Sequence, residues 1–343
     1  MQTDGAAASS PCMLLTPYAK WDPDDGVDFF SAADSKTVAA ARTADGHLLC
    51  VGLRRAPPPA LSRICLHFPD DRTKSAFSTV IAAHGDSVLI DVCGSYFVYN
   101  TGDPVTLSLL PRPPRLPGTN EDEYRRLNVS GTGILRRGQQ AGEFVVAELT
   151  MVEPVHDAAT PPILKAAVPA LRVFRSGEWR RVERPRVVHG CIDWRHWERL
   201  VSTWESHAVV PLGGGGGLLM CWVDSYCGVM LCDVFEEVPT LRYLPYPLHY
   251  NYLCIGAGGT VKLLDFSGSG CSHHGRAADT WTLKTDGTIW AVDGVADEES
   301  TELWALNRGG KGYARVQLVY PVASTNYGGS PWFFKRKRGC CTN

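Results

Sequence analysis

The feature that most constrains the fold of this chain is a short unit that recurs along it. The stretch GVMLCDVFEEVPTLRYLPYP contains an apolar run, a polar turn, a second run and a closing Pro pair. Each run has the length of a β-strand, and Pro belongs at a strand end because it cannot donate to a sheet's hydrogen-bond ladder. Similar units occupy Ser95 to Pro114, Ala170 to Arg186, Gly228 to Pro247 and Thr301 to Pro321.

The spacing of these units indicates how they assemble. They start about 55 to 75 residues apart, which leaves room for a second strand pair between successive copies. Repeated four-stranded sheets are typical of a β-propeller, in which radial repetition leaves only short sheet edges. We therefore predict a mainly β, propeller-like fold. A β-sandwich is the alternative, because two stacked sheets give a similar pattern.

The stretch TWTLKTDGTIWAV is the clearest hairpin in the sequence. An Asp-Gly pair between two alternating runs favours a two-residue turn, since both central residues need positive φ. A turn at Asp286-Gly287 places Leu283 opposite Trp290 and Trp281 opposite Val292 on one apolar face. Further turns are predicted at Asp45-Gly46, Ser176-Gly177 and Gly258-Gly259.

Helical periodicity is scarce, and its best example is CIDWRHWERLVSTW. Its apolar residues recur at intervals of three to four, which fits a helix, but the stretch equally fits a strand and a connecting loop. The recurring residues are Ile192, Trp194, Trp197, Leu200, Val201 and Trp204.

Composition excludes several classes of protein. The chain has 343 residues, 44% of them hydrophobic, and a formal net charge of -2, which is ordinary for a globular protein and gives no overall electrostatic case for nucleic acid. The first residues lack the pattern of a secretory signal, and no run approaches the length of a membrane helix. We expect a cytoplasmic or nuclear protein that is not secreted.

The twelve cysteines are expected to be free thiols, because that compartment is reducing. Most lie inside apolar runs, where a thiol behaves as a small hydrophobic side chain. Examples are Cys50, Cys65, Cys221, Cys232 and Cys254. The sequon at Asn128 carries no weight for the same reason.

The domain organisation is predicted to be one large domain flanked by two short terminal segments. Residues 1–12 are expected to be disordered, residues 13–334 to form a single propeller-like domain, and residues 335–343 to form a basic tail. Glycine and proline runs, such as Gly213 to Gly217, are interpreted as surface loops.

Three stretches resemble a known family. They are PPPALSRICLHFP at Pro57 to Pro69, VIAAHGDSVLI at Val80 to Ile90, and the unit at Gly228 to Pro247. They are similar to the domain of unknown function 1618 family (DUF1618), plant proteins that are abundant in grasses. The resemblance runs from about Lys20 to Phe334, with the signature region at about 220–300. It implies a strand pattern similar to that of F-box-associated β-propeller regions, although the N-terminal helical F-box itself has no counterpart here.

Local motifs for catalysis or metal binding are weak, so no catalytic, cofactor or metal residues are assigned. Cys221, Cys227 and Cys232 lack the paired spacing of a zinc site. Cys271, His273 and His274 lie in a glycine-containing loop and are more typical of solvated side chains. No G-x-S-x-G elbow is present, and the polyglycine run lacks the Lys-Ser/Thr of a phosphate loop.

Residues 172 to 199 form a basic segment, with eight arginines against four acids and three interleaved tryptophans. Arginine and aromatic residues together can bind nucleic acid. The arginines of a hairpin can equally form its wet face while the tryptophans pack inward, and we favour that interpretation.

The last residues, FFKRKRGCCTN, combine a basic run with two cysteines. Three interpretations stay open: a solvated tail without modification, lipidation at Cys340 or Cys341, and a nuclear-import or anionic-surface run. That basic run consists of Lys335, Arg336, Lys337 and Arg338.

The sequence as a whole favours a non-enzymatic protein-binding scaffold or adaptor, because a rigid repeated fold with variable loops suits recognition. The alternatives are an enzyme with a central-channel site built from distant residues, and a membrane adaptor tethered by the tail. We expect a monomer with an unidentified protein partner, without nucleic acid, a cofactor or a transmembrane segment.

Overall fold

The computed structural model describes residues 15–19, 33–56, 61–69, 78–115, 126–137, 143–152, 167–189, 193–214, 217–247, 252–256, 260–265, 277–284, 289–297 and 334–335. These residues are mainly β, with twenty-two strands and one α-helix, α1 (Trp194–Thr203). The chain divides into two compact units, Met1–Arg112 with Gly138–Phe144 and Pro113–Arg137 with Val145–Asn343. The prediction of one domain over residues 13–334 stays a prediction, and residues 1–12 lie outside the described residues.

The first unit contains eight described strands in two antiparallel sheets. They are β1 (Tyr18–Ala19), β2 (Ala39–Arg42), β3 (Leu48–Arg54), β4 (Arg63–His67), β5 (Ser78–His84), β6 (Ser87–Val92), β7 (Ser95–Asn100) and β8 (Thr106–Leu109). β5 to β8 form a four-stranded meander with β1 on its outer edge, and β2 to β4 form a second sheet. The two sheets share one apolar core, which includes Leu49 and Ile64 from one and Ile90 and Phe97 from the other.

The second unit contains fourteen described strands in three sheets. They are β9 (Thr132–Arg136), β10 (Phe144–Val152, of which Phe144 belongs to the first unit), β11 (Val168–Arg175), β12 (Glu178–Glu183), β13 (Arg186–Val188), β14 (Ala208–Gly214), β15 (Gly217–Asp224), β16 (Gly228–Cys232), β17 (Thr240–Pro245), β18 (Tyr252–Gly256), β19 (Thr260–Asp265), β20 (Ala277–Leu283), β21 (Trp290–Asp297) and β22 (Phe334–Lys335). β9–β12, β14–β17 and β18–β21 are each a meander of consecutive strands. β13 adds to β17 in parallel, and β22 adds to β18 in antiparallel orientation.

The prediction of a mainly β chain built from repeated four-stranded sheets is confirmed. Three of the predicted units are the third and fourth strands of a meander, namely β7–β8, β11–β12 and β16–β17. The fourth, Thr301 to Pro321, lies outside the described residues. The repeat in the sequence is therefore half of a sheet, and the strand pair between copies supplies the other half.

Turn chemistry explains the strand pairing. Ser176 and Gly177 both have positive φ, 54° and 87°, as the two-residue turn between β11 and β12 requires. The Asp286-Gly287 turn itself lies outside the described residues, as does Gly258-Gly259. The predicted register is nevertheless confirmed, since Leu283 pairs with Trp290 and Trp281 pairs with Val292.

The β14–β17 sheet is buried on both faces. Met220 and Trp222 of β15 pack into a cluster with α1 and the β9–β12 sheet. The intervening Cys221 and Val223 pack into another cluster with residues of β19, β20 and β21. A sheet covered on both sides needs apolar residues at every position, which explains the unbroken apolar runs and their cysteines. A two-sheet sandwich buries one face of each sheet and does not give this arrangement.

The tryptophan-rich stretch forms α1, not a strand and loop. Asp193 caps the helix by accepting a hydrogen bond from the His196 amide at 2.8 Å. Trp197, Leu200 and Val201 are buried against the β9–β12 sheet, as the three-to-four spacing predicts.

An ion pair is buried inside the β9–β12 sheet. Glu148 of β10 and Arg172 of β11 are directly paired and form a salt bridge, with side chains 2% and 1% exposed. Arg172 also donates to the carbonyls of Pro114 at 3.2 Å and Arg126 at 2.8 Å. The second oxygen of Glu148 accepts from the Asn128 amide at 2.8 Å. The pair therefore fixes the backbone of two segments that are distant in sequence.

Removing one partner of this pair should destabilise the protein strongly. We expect Arg172→Leu to lower the free energy of unfolding by about 3–5 kcal/mol, because it leaves Glu148 as an uncompensated buried charge. The double variant with Glu148→Leu should recover part of that loss. Urea denaturation measures both. Arg180→Leu is the control, since Arg180 is exposed on β12 and should change stability by less than about 0.5 kcal/mol. Equal losses for Arg172→Leu and Arg180→Leu would contradict this account.

Candidate functional site

The turn between β15 and β16 is built around a buried carboxylate. Asp224 is 1% exposed. Its Oδ1 accepts from the amides of Tyr226 at 2.7 Å and Cys227 at 3.1 Å, and its Oδ2 accepts from the Glu205 amide at 2.9 Å. Three backbone amides donate to this charged acceptor and stabilise it in its buried position. Asp224 thus fixes the turn and, with it, the segment that follows α1.

The same turn is held from the side of β17. Gly228 has a φ of 153°, and a Cβ there would collide with the Leu244 carbonyl and the Tyr243 ring. The Tyr243 hydroxyl donates to the Cys227 carbonyl at 2.7 Å, and the Tyr246 hydroxyl donates to the Asp224 carbonyl at 2.8 Å. Close backbone approach therefore requires glycine at position 228, and two tyrosines tie the turn to β17.

This rigid turn presents aromatic side chains to solvent. Tyr226 is 50% exposed, and its ring packs edge-on against His207 with centroids 5.5 Å apart. The Ser225 amide donates to Nδ1 of His207 at 3.2 Å, so neutral His207 carries its proton on Nε2, which lies 4.0 Å from a Glu205 carboxylate oxygen. The backbone of the turn therefore sets the orientation of the imidazole.

A second aromatic pair is attached to the same turn through the Tyr246 hydroxyl. The rings of Tyr246 and Trp290 lie 5.7 Å apart, and the Trp290 indole donates to the Pro245 carbonyl at 3.1 Å. Since Tyr246 also binds the Asp224 carbonyl, both pairs depend on the same turn. We call the side chains of Glu205, His207, Tyr226, Tyr246 and Trp290 the Tyr226 surface.

The cysteines near this surface are poor nucleophiles. Burial, together with the nearby charge of Asp224, raises the pKa of Cys227 to about 12. Burial and the charges of Asp233 and Glu236 raise the pKa of Cys232 to about 12, and burial raises the pKa of Cys221. Thiols in this state stay protonated at neutral pH, and they serve packing. Among the described residues, no group of three His, Cys, Asp or Glu side chains is placed to hold a metal ion.

The structure separates the residues of the basic segment. Arg180 and Arg181 are exposed on β12, while Trp179 packs against Phe174 with centroids 5.4 Å apart. This arrangement matches the hairpin interpretation, in which the arginines face solvent and the tryptophan packs against the sheet. Arg172 departs from it because it is buried with Glu148, which the count of arginines could not show.

The residues of the predicted tail site are mostly outside the described part of the chain. Lys335 ends β22, where its backbone pairs with Tyr252. The remaining tail residues, Arg336, Lys337, Arg338, Cys340 and Cys341, lie outside it, as do Cys271, His273 and His274. Lipidation and nuclear import therefore stay predictions. The Tyr226 surface was missed by the sequence reasoning, because its residues come from four separate stretches of the chain.

The Asp224 turn can be tested by substitution. We expect Asp224→Ala to lower the free energy of unfolding by about 3 kcal/mol, because it leaves three backbone amides without their acceptor. Asp233→Ala is the matched control. Asp233 accepts from the Phe235 amide at 2.9 Å within the next loop, and its loss should cost about 1 kcal/mol. Urea denaturation compares the two, and equal losses would show that Asp224 is an ordinary turn residue.

The thiol pKa values predict slow alkylation. A thiol with a pKa of about 12 holds roughly a thousandfold less thiolate at pH 8 than one at the ordinary value of 9.0. We expect Cys227 and Cys232 to react with iodoacetamide at least about a hundredfold more slowly in the folded protein than in urea. Cys93, which is exposed, is the control and should react readily in both states. Peptide mapping by mass spectrometry gives each rate, and rapid labelling of folded Cys227 would contradict the assignment.

Comparison with known proteins does not identify a family for this chain. The chain matches no family model, and it has no significant match among curated proteins. The described part of the chain includes no helix with the length and apolar character needed to cross a membrane. The resemblance to the domain of unknown function 1618 family accordingly stays a prediction.

Proposed function

We propose that this chain is a non-enzymatic protein-binding scaffold of the domain of unknown function 1618 family, and that the Tyr226 surface contacts its partner. The three resembling stretches support the family, and the repeated sheets support a scaffold. The observation that carries the binding function is the half-exposed Tyr226 ring on a turn fixed by a buried carboxylate.

Exposed aromatic side chains on a rigid support are what a binding surface requires. Tyr and Trp provide most of the binding energy at many protein interfaces, because each buries a large area with few rotatable bonds. Holding the turn in advance removes part of the entropy cost of association. Tyr226 provides the exposed ring of that surface, while Tyr246 and Trp290 are half-buried and pack against the core.

The construction of the turn exceeds what a hairpin needs. The chain joins β11 and β12 with Ser176 and Gly177, and it joins β6 and β7 with Cys93 and Gly94, whose amide donates to Asp91 at 2.7 Å. The β15–β16 connection instead uses three residues, the buried Asp224, and hydroxyls from two tyrosines. Extra polar groups fixed at one turn favour a role for the side chains that the turn displays.

Affinity purification from plant extract tests the proposal. We expect Tyr226→Ser to reduce the recovery of the specific partner by at least about tenfold, as measured by quantitative mass spectrometry, because it removes a central aromatic contact. Tyr18→Ser is the matched control, since Tyr18 is 69% exposed in the first unit. Both variants should keep the melting temperature of the parent, because both rings are exposed. A partner profile that is the same for the parent and both variants would overturn the proposal.

A further inference from the structure

The charges along the second unit are strongly segregated. The sequence from 200 to 241 contains no Lys or Arg, although it includes β14, β15, β16 and the start of β17. Its charged residues are all acidic: Glu205, Asp224, Asp233, Glu236 and Glu237. The preceding 28 residues, 172 to 199, hold eight arginines. The turn that displays Tyr226 therefore lies in a stretch of one charge sign.

Two of those acids, Glu205 and Asp224, lie at the turn that displays Tyr226. The Glu205 side chain is 79% exposed and approaches His207 from the side opposite the Ser225 amide. Asp224 lies beneath the turn with its carboxylate buried, where low dielectric extends the reach of its charge. The face of the Tyr226 ring is itself an electron-rich surface. All three groups favour a cation above the turn.

Two described basic residues come near the Tyr226 surface in the sequence. Lys284 is the one closest to Trp290. Its amide donates to the Ile289 carbonyl at 3.1 Å at the start of the β20–β21 turn, and its side chain is exposed. On β17, Arg242 is exposed three residues before the strand ends at Pro245. These two cations lie on other elements, and the segment around Glu205 and Tyr226 keeps its negative charge.

We propose that the Tyr226 surface binds an arginine-bearing segment of a partner protein. The guanidinium stacks on the exposed Tyr226 ring and pairs with the Glu205 carboxylate, because both groups lie beside the same His207 imidazole. Arginine fits better than lysine, because its planar group can stack on a ring and bind a carboxylate at the same time. This inference rests on the proposed binding function and names the chemistry of the partner.

Fluorescence anisotropy with defined peptides tests this inference. The probe is a fluorescein-labelled Gly-Ser peptide with two arginines, and matched peptides carry two lysines or two glutamates. We expect saturable binding of the arginine peptide, weaker binding of the lysine peptide and none of the glutamate peptide. Tyr226→Leu and Glu205→Gln should each weaken binding of the arginine peptide about three- to tenfold.

Matched variants separate the site from general charge. Glu178→Gln removes the same charge from β12, and Tyr18→Leu removes an exposed ring from the first unit. Both should leave the affinity for the arginine peptide unchanged. Binding that Glu178→Gln weakens as much as Glu205→Gln does, or equal affinity for the glutamate peptide, would overturn the inference.

Two further outcomes are distinguishable. If Tyr226→Ser abolishes capture of the plant partner while the parent does not bind the arginine peptide, the binding function stands and the cationic partner is wrong. The surface could instead bind the arginine-rich segment, residues 172 to 199, of a second copy of this chain. Sedimentation velocity tests that alternative by measuring the oligomeric state. A dimer that Tyr226→Leu dissociates would overturn the assignment of a separate partner.

Discussion

The second unit depends on the ion pair between Glu148 and Arg172. Both side chains are enclosed by the protein, so separating them would leave each charge buried without a partner. Glu148 holds the Asn128 amide, and Asn128 caps the short 3-10 turn that ends at Gly131. The Gly131 carbonyl in turn accepts from the buried indole of Trp222 at 2.8 Å. A chain of specific polar contacts therefore runs from the β9–β12 sheet into the β14–β17 sheet.

This chain of contacts ends two residues before the candidate site. Trp222 lies on β15, and Asp224 closes that strand and opens the turn. With both faces of the sheet covered, β15 cannot shift in register without moving apolar residues on either side. The position of the turn is therefore fixed by the position of β15. The hydrogen bonds of Asp224 and of the turn backbone then orient Glu205, His207 and Tyr226. Rigid placement of exposed side chains is thus a consequence of burial elsewhere.

The parts of this fold that could be predicted from the sequence are those set by local rules. The Asp-Gly pair determined which residues of β20 and β21 face each other, and the strand–turn–strand units located half of each of three sheets. The site depends on long-range contacts, such as Arg172 with the Pro114 carbonyl and Trp222 with Gly131. A charge inside an apolar strand, as in ALRVF, was the available signal for Arg172, but it does not name the partner. Asp224 gave no signal, since an acid at a strand end is also typical of a solvated turn.

The buried ion pair and the buried Asp224 of the second unit differ in how their charge is compensated, and that difference bears on function. Glu148 and Arg172 neutralise each other, so their two charges cancel within the β9–β12 sheet. Asp224 is held by three backbone amides and the Cys227 thiol, which are neutral donors, so its negative charge is not cancelled within the described contacts of the turn. A carboxamide or a tighter turn would close the same hairpin without placing a charge beneath it. The carboxylate gives the displayed Tyr226 a negative background that a neutral turn would lack, which is the property that selects a cationic partner over other segments of similar shape.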